Sequence, residues 1–151
     1  MSNKRVVVTG FGTVNPIAKD AQEFWDALMA GKNGVGRVTT FDTTDYSTQI
    51  AAELTSDLNL EDHYHKKDIR RTSRFVLLAG IAAKEAVAHS GLDISKSPNT
   101  IGVEIGSGIG GIEILENTTR TLIESGPARV SPFTVPMMIA DMASGYVAIE
   151  T

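Results

Sequence analysis

Cysteine is absent from this 151-residue chain, which excludes a disulfide framework, a thiolate metal site and a cysteine nucleophile anywhere within it. Long apolar runs are absent too: none approaches the ~20 residues that span a bilayer, so no membrane association is expected. The amino terminus, Met1 to Gly10, places only three valines after its charged residues, too few for a signal-peptide core, and a cytoplasmic location is expected. A formal charge of −4 argues against general nucleic-acid binding. The sequence shows neither an internal repeat nor a low-complexity tract. What remains is an ordinary globular composition, 42% hydrophobic and 21% charged, in a length that suits one domain burying about two-thirds of its unfolded surface.

Within that composition, glycine is concentrated. Ile101 to Ile112 is an apolar alternating run that breaks into Gly106, Gly108, Gly110 and Gly111. Glycines packed so closely cost conformational entropy, and they suit a backbone that turns sharply or lets something pass close by. Ile101, Val103 and Ile105 before them have strand periodicity. Ile112, Leu115, Thr119, Leu122 and Ile123 after them have helix periodicity, extending to Ser125. A strand, a glycine turn and a helix make one step of an α/β fold, with something bound or gated at the turn.

The remaining elements follow from the same signals. Arg5–Thr9 is β-branched and reads as a strand ending in Gly10-Phe11-Gly12. Asp20 or Ala21 opens a helix running through Ala30 and closed by Gly31. Residues 34–46 read as loop, Gln49–Leu54 as a short strand, and Leu60–Arg71 as one or two short helices. Ser73–His89 is a long helix stopped at Ser90-Gly91; it is apolar nearly all round, which places it between layers. Asp93–Asn99 reads as loop and Ala140–Ile149 as a final helix.

Two patterns leave function open. Gly106-x-Gly108-x-x-Gly111 has dinucleotide-binding spacing, yet no acidic residue ends a following strand; Gly10-x-Gly12 is weaker still, with Asn15-Pro16 where a third glycine would sit. A tight structural turn is the alternative for both. Lys67, Arg70, Arg71 and Arg74 are spaced i, i+3, i+4, i+7, so one helix would put all four on one face. In an acidic protein such a stripe reads as a docking patch for an acidic partner, or as a solvated face paired with Glu61, Asp62 and Asp68.

The ordered set Val6-Val-Val-Thr-Gly10-Phe-Gly12, Phe24-Trp25 through Gly31-Lys32, Phe41-Asp42-Thr43, Gly106-Ser-Gly-Ile-Gly-Gly111 and Gly126-Pro-Ala-Arg-Val-Ser-Pro-Phe133 closely resembles the N-terminal part of the β-ketoacyl-[acyl-carrier-protein] synthase II family. These are elongating condensing enzymes of the thiolase superfamily, and the resemblance covers all 151 residues. It implies an α/β fold: a partial thiolase-like fold, the incomplete first half of a five-layered α-β-α-β-α architecture. Residues 1–151 would be the N-terminal portion of the synthase N-terminal domain, truncated before the nucleophile strand.

The resemblance also assigns roles. The glycine turn would border an acyl pocket, with Gly108 and Ile109 at its gate and Phe133 and Thr134 in its lining; Thr134 stands where an aromatic is often found. Met137 and Met138 would supply adaptable packing nearby. Lys67, Arg70, Arg71 and Arg129 match positions that dock acyl carrier protein, while Ala128 replaces a residue often basic. No cofactor is implied, because phosphopantetheine arrives on the carrier. The full-length family is homodimeric. Its chemistry is decarboxylative Claisen condensation on a cysteine thioester assisted by two histidines, all expected beyond Thr151. His63, His65 and His89 match none of them. No residue here is expected to be catalytic, and the chain alone is expected to be inactive and to associate or dissolve poorly. A non-catalytic carrier-binding module and a small nucleotide-binding domain are the alternatives.

Overall fold

The computed structural model describes residues 4–54, 58–96 and 98–151. Its elements in chain order are α1 (Ala21–Met29), β1 (Val35–Arg37), β2 (Ile50–Ala52), α2 (Lys66–Ile69), α3 (Arg74–Ser90), α4 (Ile112–Ser125), α5 (Thr134–Met138) and α6 (Met142–Glu150). Single 3-10 turns lie at Leu60–Asp62, Ile94–Lys96, Pro98–Thr100 and Pro127–Arg129.

Helix boundaries follow the local chemistry. Asp20 caps α1 by accepting the Glu23 N–H, and Gly31 takes a left-handed conformation just past its end. Gly91 stops α3 in the left-handed region, at φ 66°. α5 has no sequence signature, because Pro136 falls inside its single turn.

α3 is the axis. One stripe of it, Val76, Leu77, Gly80 and Ile81, is buried, and α6 packs along it through Ala143 and Val147. Tyr64 completes the core beside Leu77 and Ile81. Gly80 makes the room, since the Tyr64 hydroxyl occupies the space a Cβ would need there. That hydroxyl donates to the Leu77 carbonyl at 2.9 Å, Tyr146 meets the ring edge-on at 6.1 Å, and Lys84 covers it at 4.7 Å while pairing with Glu150. On another side of α3, Glu85 holds the amino-terminal segment. Its carboxylate accepts the Thr13 N–H at 2.8 Å and the Ala21 N–H at 2.7 Å.

Two predicted strands do not form. Residues 4–13 and 101–107 carry no strand ladder. A β-branched run becomes a strand only when a neighbour takes its N–H and C=O groups, and here Val6 and Val8 stand 96% and 86% exposed. Residues 101–107 keep the expected alternation, with Ile101, Val103 and Ile105 half-buried and Gly102, Glu104 and Gly106 exposed. Instead of a strand, the Ser144 hydroxyl of α6 takes both the N–H and the C=O of Ile105, at 2.8 and 3.4 Å. The one sheet among the described residues is the antiparallel β1–β2 ribbon, with Val35 opposite Ala52 and Arg37 opposite Ile50.

Coverage is thin elsewhere. α3 is sheltered along its one stripe rather than sandwiched as its composition implied. The apolar positions of α4 face outward, with Ile112 at 52%, Leu115 at 46% and Ile123 at 78% exposure. The total accessible surface is 11105 Å², against about 7,400 Å² for a compact protein of this length. Surfaces that sequence periodicity marks for burial lack a cover within the chain.

Burial first, then the nearby Tyr146 and Glu150 charges, push the Tyr64 phenol up from 10.0 to about 12. A group whose folded pKa is raised contributes its stability fully below its unfolded pKa and loses it as pH climbs through the folded value. Urea denaturation should therefore show stability independent of Tyr64 up to about pH 10 and falling above it. Tyr64→Phe should reduce that alkaline fall, part of which Tyr146 retains because burial raises its pKa as well, while lowering neutral-pH stability by about 1 kcal/mol through loss of the bond to Leu77. An unchanged alkaline limb in the variant would refute the assignment.

Candidate functional site

The basic residues do not share one helix face. α2 ends at Arg70, its C-cap, and Ser73 is extended (φ −70°, ψ 154°) and fully buried, so the chain breaks before α3 begins at Arg74. The break divides the stripe. Arg74 lines a separate cleft with Arg37 and Glu53, beside the β1–β2 ribbon. Lys67 is exposed on α2. Arg70 and Arg71 point to the segment that contains Arg129.

There they form one site. Arg70 and Arg129 line a groove of about 210 Å³ with Asn117, Thr118 and Thr121 of α4 and with Ser131, Thr134 and Met137. Beside it, the Arg71 guanidinium lies over the Phe133 ring, 5.1 Å from its centroid. α4 supplies Asn117, Thr118 and Thr121 to this wall together with Ile114, while Ile112, Leu115 and Ile123 turn outward. The 3-10 turn Pro127–Arg129 and α5 pack on α4, and Thr118 and Thr134 link them hydroxyl to hydroxyl at 3.3 Å.

The cations of this site are unspent. Lys66, Lys84, Lys96 and Arg120 each pair with a carboxylate. Among the described residues, Lys67, Arg70, Arg71, Arg74 and Arg129 are exposed and make no ion pair within 4.0 Å, so none of them is paired with Glu61, Asp62 or Asp68. In a chain of net charge −4, uncompensated positive charge gathers here.

The expected pocket residues separate. Thr134 lines the groove and Phe133 lies under Arg71, whereas Ile109 is 68% exposed and nothing stands within 4 Å of a Cβ placed on Gly108. The four share no described cavity. The glycine cluster has two kinds of member. Gly106 and Gly108 border open space. Gly110, at φ 76°, and Gly111 lie against the Met138 and Met137 carbonyls, and the Gly111 N–H donates to Met138 O at 2.9 Å. What passes close by the turn is therefore the backbone at the end of α5. That approach occupies the face a dinucleotide phosphate would need at Gly111.

Asn117, Thr118, Thr121 and Ser131 were not singled out from sequence. A polar i, i+1, i+4 set inside an amphipathic helix was the available signal. Of the histidines, His63 and His65 are exposed, and His89 Nδ1 lies 3.3 Å from both the N–H and the C=O of Phe11, an end-of-helix contact. Among the described residues no helix is long and apolar enough to cross a membrane.

Comparison with known proteins follows the same lines. Residues 3–151 match the family model described as beta-ketoacyl synthase, N-terminal domain. The chain is 48% identical over 149 residues to a 3-oxoacyl-[acyl-carrier-protein] synthase 2 of Staphylococcus aureus (strain COL), covering 98% of this chain and 36% of that protein. It spans about a third of the length of the curated relatives it matches. Among solved structures, a beta-ketoacyl synthase from Burkholderia phymatum STM815 superposes with TM-score 0.76 at 27% identity, over 97% of this chain and 36% of that one. A ketosynthase in complex with its type II polyketide acyl-carrier protein superposes with TM-score 0.78 at 21% identity, over 97% and 39%. The fold is accordingly a partial α/β thiolase-like fold.

The glycine assignment is directly measurable. Gly110→Ala and Gly111→Ala should each cost about 2 kcal/mol or more, since the first adds a strained positive φ and both meet a carbonyl. Gly106→Ala and Gly108→Ala should change stability by less than about 1 kcal/mol. Equal losses across the four in urea denaturation would contradict the division.

Proposed function

Because this chain belongs to the β-ketoacyl synthase N-terminal domain family, we propose that it is the N-terminal part of a 3-oxoacyl-[acyl-carrier-protein] synthase II and that its share of the work is recognition of the acyl carrier. The activity in view is elongation of fatty acids by decarboxylative Claisen condensation of an acyl thioester with malonyl carrier, in the cytoplasm. The observation that carries the docking role is the meeting of Arg70 and Arg129 on one groove with Arg71 beside it over Phe133, none of the three in an ion pair among the described residues. A carrier of high negative charge would be steered by them at long range and oriented at contact. That a related ketosynthase was captured with its own acyl-carrier protein supports the same direction of reading.

The acyl-gating role fits less directly. Ile109, flanked by Gly108 and Gly110, has little to resist its movement, and its exposed side chain would have to be covered by further protein before it could bound a pocket. Condensation needs a thiolate to hold the acyl group. This chain contains no cysteine, so it supplies docking and pocket wall rather than the nucleophile.

Reversing charge with Arg70→Glu and Arg71→Glu together should weaken carrier binding by about tenfold or more, since each exposed pair is worth ~1 kcal/mol or less and reversal adds repulsion. Lys96→Glu, at a cation already paired with Asp93, should leave it unchanged. Calorimetric titration with carrier decides; equal loss in both variants would defeat the docking role. The chain mixed with acyl and malonyl carriers should yield no β-ketoacyl product, and its appearance would refute the division of labour.

A further inference from the structure

The groove beside Arg71 has a donor arrangement more specific than a charged surface. The Arg70 Nε donates to the Lys66 carbonyl at 3.2 Å, which fixes the guanidinium and leaves its two terminal nitrogens uncommitted. Arg129 makes no side-chain hydrogen bond or ion pair among the described residues. Ser131 Oγ accepts the Phe133 N–H at 3.2 Å, so its own proton is free to donate, and the Asn117 side-chain amide has no partner among the described residues. The threonine hydroxyls are already engaged: Thr121 donates to the Asn117 carbonyl and Thr134 to the Ser131 carbonyl, with Thr118 beside it. Among the described residues no carboxylate lines the groove.

Free donors thus come from the C-cap of α2, from α4, and from the 3-10 turn with the residues just after it, around a floor of Ile114, Val130 and Met137. Donors arriving from several directions suit an acceptor with oxygens in several directions. A carboxylate offers two coplanar oxygens, whereas a phosphate group offers at least three arranged tetrahedrally. The volume of about 210 Å³ is several times the ~30 Å³ of one water, enough to admit such a group.

We infer that the groove between Arg70 and Arg129 is a seat for a tetrahedral oxyanion, a phosphate or phosphate ester, held by the two guanidiniums with Asn117 and Ser131. The seat stands on its own geometry. It rests on the carrier-docking reading only for the source of the anion, which is either free phosphate or a phosphoester borne by the carrier.

The test is a titration of the whole chain with inorganic phosphate, followed by amide resonances. Saturable shifts are expected at residues 117–118 and 129–134. Arg70→Gln and Arg129→Gln should each weaken binding about tenfold, the loss of one charge-assisted hydrogen bond. Arg120→Gln, on α4 beside the groove but paired with Glu116, should not. Shifts reproduced by chloride at matched ionic strength, or retained in both arginine variants, would overturn the seat. A second arm compares carrier with and without its phosphoester arm. Tighter binding of the arm-bearing form, competed by phosphate and lost in Arg70→Gln, supports the seat with the carrier as source. Equal binding of the two forms beside saturable phosphate binding supports it with free phosphate as source. Phosphate binding without any carrier binding would leave the seat standing and remove the docking reading.

Discussion

The structure depends on how closely other backbones can approach α3. Gly80 lets the Tyr64 ring settle against the helix, and the amino-terminal segment lies so near that any Cβ on Gly10 or Gly12 would strike the helix backbone at Ala86 and Ala82. Alanine and glycine at positions 79, 80, 82, 83 and 86 of α3 keep its girth small on more than one side. Bulk there would push away the segment that starts the chain and the turn that leads into α2. Because α2 and the Ser73 break are placed by that packing, the direction of Arg70 and Arg71 is set by it as well. The path from sequence to site runs from small residues, to close contact, to the orientation of two guanidiniums.

Helices were legible in the sequence where termination chemistry was local. Asp20, Gly31 and Gly91 each act within a turn of where they sit, and the corresponding helix ends lie beside them; Ser73 precedes α3 without a side-chain cap bond. The ribbon strand at Ile50–Ala52 falls within the expected Gln49–Leu54 strand, whereas its partner Val35–Arg37 lies in the stretch expected to be loop. At Val6–Val8 and Ile101–Ile105 strand composition was legible but the ladder was not, because a ladder is a property of two segments and the second is missing from the neighbourhood of each. The outward turn of Ile112, Leu115 and Ile123 was illegible on the same grounds: periodicity tells which face is apolar, and only tertiary structure tells what meets it.

The site was partly readable. Arg129 is far in the chain from the adjacent Arg70 and Arg71, and it was family resemblance, rather than spacing, that grouped it with them. Spacing alone overreached by including Arg74, since it assumed a helix running straight through Ser73. Close approach holds at Gly110 and Gly111 but not at Gly106 and Gly108, and what approaches, the carbonyl end of α5, depends on a one-turn helix containing proline that no local signal announces. Asn117 and Ser131 became visible only once the hydrogen bonds around them showed which donors were still free.

The outward apolar positions of α4 change what a substitution there can reveal. Shaving Leu77 to alanine would empty space inside the molecule, where each lost methylene carries both a transfer and a void penalty. Shaving Leu115, nearly half in water already, would leave the melting of this chain almost untouched, though the residue is no less apolar. Along that helix, thermal robustness and sequence constraint become uncoupled quantities: tolerance measured on the isolated polypeptide says little about what the same side chains would be asked to do against a facing wall.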